Sequence, residues 1–245
     1  MGGDIDLAVV GMIGVLSIIQ SIFGIGVLIF GTPILLLVDF PFDQILSTLL
    51  PASLTLSLLQ LVLDKGLSKS SVGEFVCWMV PPLCVGLMIS LTTDVLSLDL
   101  FITFALLVIA YLRVSRRYRT ALFGFAAKHQ RLMLITIGFI HGLTNLGGSL
   151  LEAYVSSVHT DKQRIRQNIA LGYAMLAGSQ LIILVSMGRG NSDATSLAAM
   201  ATAGIVYLTV GRAAFLALSQ QKYRSLVSIL IVLAAIALLC KRAIA

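Results

Sequence analysis

Apolar residues run through this chain in blocks, at about 7–38, 44–63, 75–93, 98–112, 132–158, 168–187, 194–210 and 225–240, with most charges held in the gaps. Most blocks are close to the ~20 residues that a helix needs to cross a bilayer. They are continuous, unlike the ten-residue alternating segments of an outer-membrane barrel. The pattern predicts an all-α polytopic membrane protein. Two blocks are too long for a straight span. Residues 7–38 would make a helix of roughly 48 Å and residues 132–158 one of roughly 40 Å, against a hydrocarbon core of about 30 Å.

Both overlong blocks carry glycines where a helix can stop and restart. The first reads Phe23-Gly24-Ile25-Gly26-Val27-Leu28-Ile29-Phe30-Gly31-Thr32-Pro33, and the second Thr144-Asn145-Leu146-Gly147-Gly148-Ser149-Leu150-Leu151-Glu152-Ala153-Tyr154. A restarted helix points unpaired N–H groups into the membrane interior, where they can hold an anion. Thr32-Pro33 offers a rival break in the first block, because threonine caps helices well and proline suits the first helical position.

Composition supports the membrane class. The chain is 58% hydrophobic and 11% charged, with a mean hydropathy of +1.00. A soluble domain of this length needs more polar surface. No cleavable signal is expected, since Asp4 and Asp6 stand where a signal peptide is basic. Cys77, Cys84 and Cys240 lie in apolar segments, are odd in number and form no CxxC, so core packing is expected of them rather than a disulfide or metal site.

The net charge of +6 reports topology. If every block crosses once, the lysines and arginines divide eleven to six between the two sides. If 7–38 and 132–158 each fold as a V, only Arg189, Lys241 and Arg242 stay opposite the other fourteen. The V arrangement is therefore preferred over its alternative, a long tilted helix kinked at glycine. It gives each half one V and three full spans, an odd number of crossings, so the halves are inverted repeats with both termini outside. The halves are residues 1–114 and 130–245, joined by a basic cytoplasmic linker at 115–129 and together forming one transport domain. That linker is expected to meet the anionic headgroups of the bilayer. Nucleic-acid binding is not expected, because aromatic and basic residues do not interleave.

With these features in place the chain resembles the TauE/SafE sulfite exporter family. Gly24-x-Gly26 followed by Pro33 is similar to that family's GxGGGxxxxP signature. Asn145-x-Gly147-Gly148-Ser149 followed by Tyr154 is similar to its degenerate GxGGPxxxxY copy. The departures are Val27, Leu28, Asn145 and Ser149, which stand where the family often has glycine or proline. The resemblance covers nearly the whole chain. It implies a transporter of small sulfur-containing anions, such as sulfite or short organosulfonates, in a bacterial inner membrane.

Candidate substrate contacts follow from the two apices: Gly24, Gly26, Val27, Asn145, Gly147, Gly148 and Ser149, with Gln20 and Ser21 beside them. Backbone approach to an anion would tolerate no side chain at Gly26 or Gly147, and their replacement is expected to harm transport more than folding. Inverted repeats are expected to bring the apices together near the midplane. His141 shares a helix face with Asn145, and Glu152 lies about one turn past Gly148. Both are proton-coupling candidates. Their bland alternatives are a hydrogen bond to a neighbouring helix and a pairing of Glu152 with a loop residue such as Arg164. Ser47, Thr48 and Asn168 open the second spans and are vestibule candidates. Gln60, Tyr173 and Gln180 lie deeper in those spans, and Pro51 marks a kink. Trp78 and Tyr111 sit near span ends, as interfacial aromatics do.

No cofactor and no metal are expected. A passive anion channel would share this architecture. An intramembrane enzyme is disfavoured, because neither HExxH nor a GxSG-like motif occurs.

Overall fold

A computed structural model describes residues 5–64, 69–92, 116–190 and 193–219. The blocks expected at 98–112 and 225–240, with Tyr111 and Cys240, lie outside the described residues. Every described element is helical. In chain order they are α1 (Leu7–Phe23), α2 (Val27–Leu37), α3 (Phe42–Leu63), α4 (Lys69–Trp78), α5 (Val80–Thr92), α6 (Arg116–Lys128), α7 (Gln130–Thr144), α8 (Gly148–Val158), α9 (Lys162–Ser186) and α10 (Ala194–Val206). A π-helical turn, Tyr207–Gly211, then leads into α11 (Arg212–Ala217).

Among the described residues, four stretches are long and apolar enough to cross a membrane: Phe42–Leu63, Val72–Thr92, Lys162–Ser186 and Ala194–Ala217. Val62 is 73% exposed and Ile182 72%. Such residues are costly against water and at home against lipid, so the apolar exterior completes the case for a membrane protein.

Both overlong blocks break at the glycine pairs. Thr32 and Pro33 lie inside α2, so the rival break does not occur there. Pro51 likewise lies within α3, which runs on as one helix. Two expectations need correction. Residues 116–128 form a helix rather than a loop. Cys77 is exposed and Cys84 only partly buried, so neither is a core cysteine. Cys77 lies on the outer face of the short helix α4, and its thiol is apolar enough for lipid.

The ends of the helices fix how the chain runs. Asp6 before α1, Phe40 after α2, and Gln44, Ser47 and Thr48 opening α3 line one pocket of about 140 Å³, together with Asp193 and Thr195 at the head of α10. The chain thus leaves this pocket along α1 and is back beside it when α2 ends. Helices α1, α3 and α10 set off from it side by side. Their far ends meet again: Ser21 of α1, Asp64 after α3, and Tyr207 and Arg212 after α10 gather around Arg166 of α9. Helix α9 runs the other way. It starts at this cluster, and the carbonyl of Arg189, just past its end, accepts a bond from Ser47 at 3.3 Å. The second broken block also comes back beside α4, with Arg131 over Trp78 at 5.2 Å and Tyr154 against Phe75 at 6.3 Å.

Helices α5 and α7 pack without intervening side chains. A Cβ on Gly138 would strike the Met79 carbonyl, one on Gly142 the Leu83 carbonyl, and one on Gly86 the Phe139 carbonyl, at 2.5 Å in the last case. Gly138 and Gly142 are a small-xxx-small pair, the device by which membrane helices gain contact where lipid removes the hydrophobic drive between them.

Candidate functional site

The two breaks share one local design. Helix α1 ends on Gly24 in the left-handed region, φ +77°, with its N–H on the Gln20 carbonyl at 2.8 Å. Helix α7 ends on Asn145 in the same region, φ +62°, with its N–H on the His141 carbonyl at 2.7 Å. Glycine pays no Cβ penalty there, and asparagine is the best of the alternatives. Two residues later each chain folds against its own helix. A Cβ on Gly26 would stand 2.8 Å from the Leu16 carbonyl and 2.6 Å from the Gln20 nitrogen. One on Gly147 would stand 2.7 Å from the Ile137 carbonyl. Each glycine meets a carbonyl ten residues back, which no continuous helix brings into contact. Gly26 and Gly147 are therefore required by the reversal itself. Their replacement should thus harm folding as well as transport.

The breaks differ in how their polar groups are satisfied. At the first, Gln20 reaches across the gap. Its Oε1 accepts from the Val27 N–H at 3.0 Å, capping α2, and its Nε2 donates to the Ser53 hydroxyl at 2.9 Å and carbonyl at 3.2 Å. Gln60 donates to the Gln20 and Ser21 carbonyls at 3.0 and 3.2 Å, closing the end of α1. Ser21 turns its hydroxyl back to Ser17. Ile25, Val27 and Leu28 fill the remaining space and are fully buried.

At the second break His141 occupies the place Gln20 has at the first, four residues before the left-handed position. Its imidazole stands edge-on to Tyr173 at 6.1 Å and next to Gln180, close enough to interact but without a well-formed hydrogen bond. His141 Nδ1 and Nε2, both amide atoms of Gln180 and the Asn145 Oδ1 are buried with no hydrogen-bond partner among the described residues. Asn145 donates instead to Thr32 of α2 at 2.9 Å, and Leu146 packs on Ile29. The second break therefore touches the restarted helix of the first. Helix α8 starts here, and a helix start leaves its first N–H groups without intrahelical acceptors. Gly148 lies under the Tyr173 hydroxyl, which occupies the space a Cβ would take.

The other predicted residues separate. Ser149 is buried with its hydroxyl 3.5 Å from the Leu146 carbonyl. Glu152 is 5% exposed and accepts from Ser156 at 2.7 Å. Ser47 and Thr48 line the pocket at the head of α3, each also bonded back to its own helix. Asn168 is half-buried near the start of α9, bonded to the Arg164 carbonyl, and lies away from that pocket.

One polar cluster went unread in the sequence. Arg166 is 1% exposed, and its guanidinium pairs with the buried Asp64 carboxylate, donates to the Ser21 carbonyl at 2.8 Å and lies 3.4 Å over the Phe215 ring. Arg166 and Arg212 looked like loop charges. The available signal was their position at the very edge of apolar runs, facing an Asp64 at the edge of another.

These features define a class, that of helical membrane proteins whose broken helices gather polar groups inside the protein. The chain belongs to the Sulfite exporter TauE/SafE family, whose model matches residues 7–238, and is thereby a membrane transporter. No curated protein and no solved structure matches it.

Proposed function

We propose that the chain is a secondary transporter of small sulfur-containing anions, sulfite or short organosulfonates, across the bacterial inner membrane. The observation that carries this reading is the pair of buried side chains near the start of α8 whose donors are unfilled among the described residues, the Gln180 amide and the His141 imidazole. Unsatisfied buried polar atoms cost about 1–3 kcal/mol each. They are retained where a ligand completes them. A helix start contributes further donors and about half an elementary positive charge at the ideal limit. Together the Gln180 amide, the imidazole and the α8 N–H groups suit the oxygens of a small oxyanion. The resting contacts of Gly24, Gly26, Val27, Gln20 and Ser21 are met within the protein, so the first break serves as the wall and Asn145, Gly147, Gly148 and Ser149 as the seat.

On this reading the two broken blocks are re-entrant Vs in inverted repeats. The shared pocket at the ends of the first block and the return of the second to α4 support it. The basic helix α6 then faces the cytoplasm and its anionic headgroups, and the pocket lined by Asp6 faces outward. Glu152 and His141 are the proposed proton-coupling residues, and coupling through either would make uptake rise as pH falls.

The test is flux of radiolabelled sulfite, sulfate, methanesulfonate and a cationic thiol into vesicles holding the purified protein, between pH 5 and 8. Saturable, acid-favoured transport of the sulfur oxyanions is expected. Selective transport of the cation, or of none of these anions, would overturn the reading. Flux independent of pH in wild type and in Glu152→Gln would remove the coupling and leave the substrate standing.

A further inference from the structure

We infer that Arg212 and Arg166 form a second anion seat, at the far end of α1, α3 and α10, in which the Asp64 carboxylate stands in for the transported oxyanion. This rests on the anion reading above for the identity of the ligand. One carboxylate here serves two guanidiniums. Asp64 Oδ2 takes Arg166 and accepts from the Tyr207 hydroxyl at 3.3 Å, while Oδ1 lies 3.6 Å from Arg212 Nε. Lys162 adds a third cation on the Phe215 ring, 4.7 Å from its centroid. The cluster is cationic overall.

The two arginines are held differently. Arg166 is fully sequestered. The side chain of Arg212 is 44% exposed, and among the described residues its Nε has no hydrogen-bond partner while Nη2 makes a long 3.4 Å contact to the Leu63 carbonyl. Arg212 can therefore meet an anion from solution while still facing Asp64. A guanidinium fork binds a sulfite or sulfonate through two oxygens as it binds a carboxylate. An arriving oxyanion can thus take the place of Asp64 on the weakly held Arg212 while Arg166 keeps Asp64 paired, so no buried charge is left alone.

The seat is wired to the first break. Arg166 holds the Ser21 carbonyl, Gln60 holds the same carbonyl and that of Gln20, and the Arg166 carbonyl lies 3.6 Å from the position of a Cβ on Gly24. The π turn places Tyr207 on Asp64 and sets Gly211 directly against Ser21. Extra-wide turns of this kind recur at functional sites. At the other end of the same three helices, the pocket carries Asp6 and Asp193, whose carboxylates cap α1 and α10. An anion is drawn to one end of this bundle and repelled at the other.

The experiment is calorimetric titration of sulfite and methanesulfonate into the full-length protein in detergent. The wild type should bind two anions per chain, and Arg212→Gln should weaken one of the two events roughly tenfold, on the scale of lost charged contacts at recognition sites, with a near-native melting temperature. Arg212→Lys keeps the charge without the fork and should fall between. Asp64→Asn removes the internal competitor and should tighten binding; if it does not fold, the two Arg212 variants decide alone. Unchanged affinity in Arg212→Gln, with wild-type binding intact, would overturn this seat and leave the transport reading in place. Wild type that binds neither anion would overturn both.

Discussion

The two breaks have the same backbone and opposite chemistry. Each places a left-handed residue four positions after a polar side chain, then a glycine pressed on its own helix. At the first, Gln20 is a linear amide that can accept from Val27 and donate to Ser53 at once. At the second, His141 is a shorter, rigid ring that leaves the helix start uncapped and sits among groups with no partner. The difference separates two uses of one motif. A break bridged by a side-chain cap, as Gln20 bridges the first, is architecture, even though Gln60 Oε1 and Ser17 Oγ beside it have no partner among the described residues. A break whose restarted helix has no side-chain cap and lies beside unfilled donors is a place for a ligand.

The largest effect should come from the part they share. Gly26→Ala and Gly147→Ala each drive a methyl group to within 2.8 Å of backbone atoms that cannot move without unwinding the helix. Both variants should lose most of their folded yield, measured by monodisperse protein in detergent and by melting temperature. A Gly147→Ala protein that folds and transports normally would show that the reversal is not as tight as drawn. The comparison between the breaks would then lose its common frame.

Next in size is the exchange of roles between Gln20 and Gln180. Gln20→Leu strands the Val27 N–H, and a buried unmade hydrogen bond costs about 1–3 kcal/mol. The cost should appear as a lower melting temperature, with substrate affinity little changed in the protein that folds. Gln180→Leu removes an amide that has no well-formed hydrogen bond among the described residues and only the His141 imidazole beside it. It should leave the melting temperature unchanged or raised, and weaken anion binding by roughly tenfold. If both variants lose stability alike, the second break is as self-contained as the first.

Much of the architecture could be read from the chain because membrane burial is a coarse force. A block of 32 residues cannot cross straight, and the glycines marked where it turns. The position of the first break against Thr32-Pro33 could not be read, since both are plausible stops by local chemistry. Packing decided it, because only Gly26 fits against Leu16 and Gln20. The same limit hid the unequal roles of the breaks. Gln180 and Tyr173 were visible as polar residues in an apolar span, but nothing in their spacing says that one faces His141 and the other covers Gly148. The cluster of Asp64, Arg166 and Arg212 joins residues more than a hundred positions apart. Charge counting placed the arginines at a membrane edge and could not turn them inward.

The smallest expected effect concerns the bond that ties the breaks together. Asn145 serves two purposes: its backbone takes the left-handed turn, and its Nδ2 donates to the Thr32 hydroxyl at 2.9 Å. Asn145→Gly keeps the turn and removes the side chain, so it isolates the second purpose. Thr32→Val removes the acceptor from the other side with little change of shape. Each should cost about 0.5–1.5 kcal/mol in stability. The two losses should not add, because they delete the same bond, and the double variant should resemble the worse single one. Thr32→Ser, which keeps the hydroxyl, should behave as wild type. Additive losses in this cycle would mean that the halves are held together elsewhere, and that Asn145 belongs to the second break alone. Coupled losses with weakened anion binding would place the contact between the breaks at the edge of the seat itself, where the wall supplied by α2 holds the asparagine ready for the ligand.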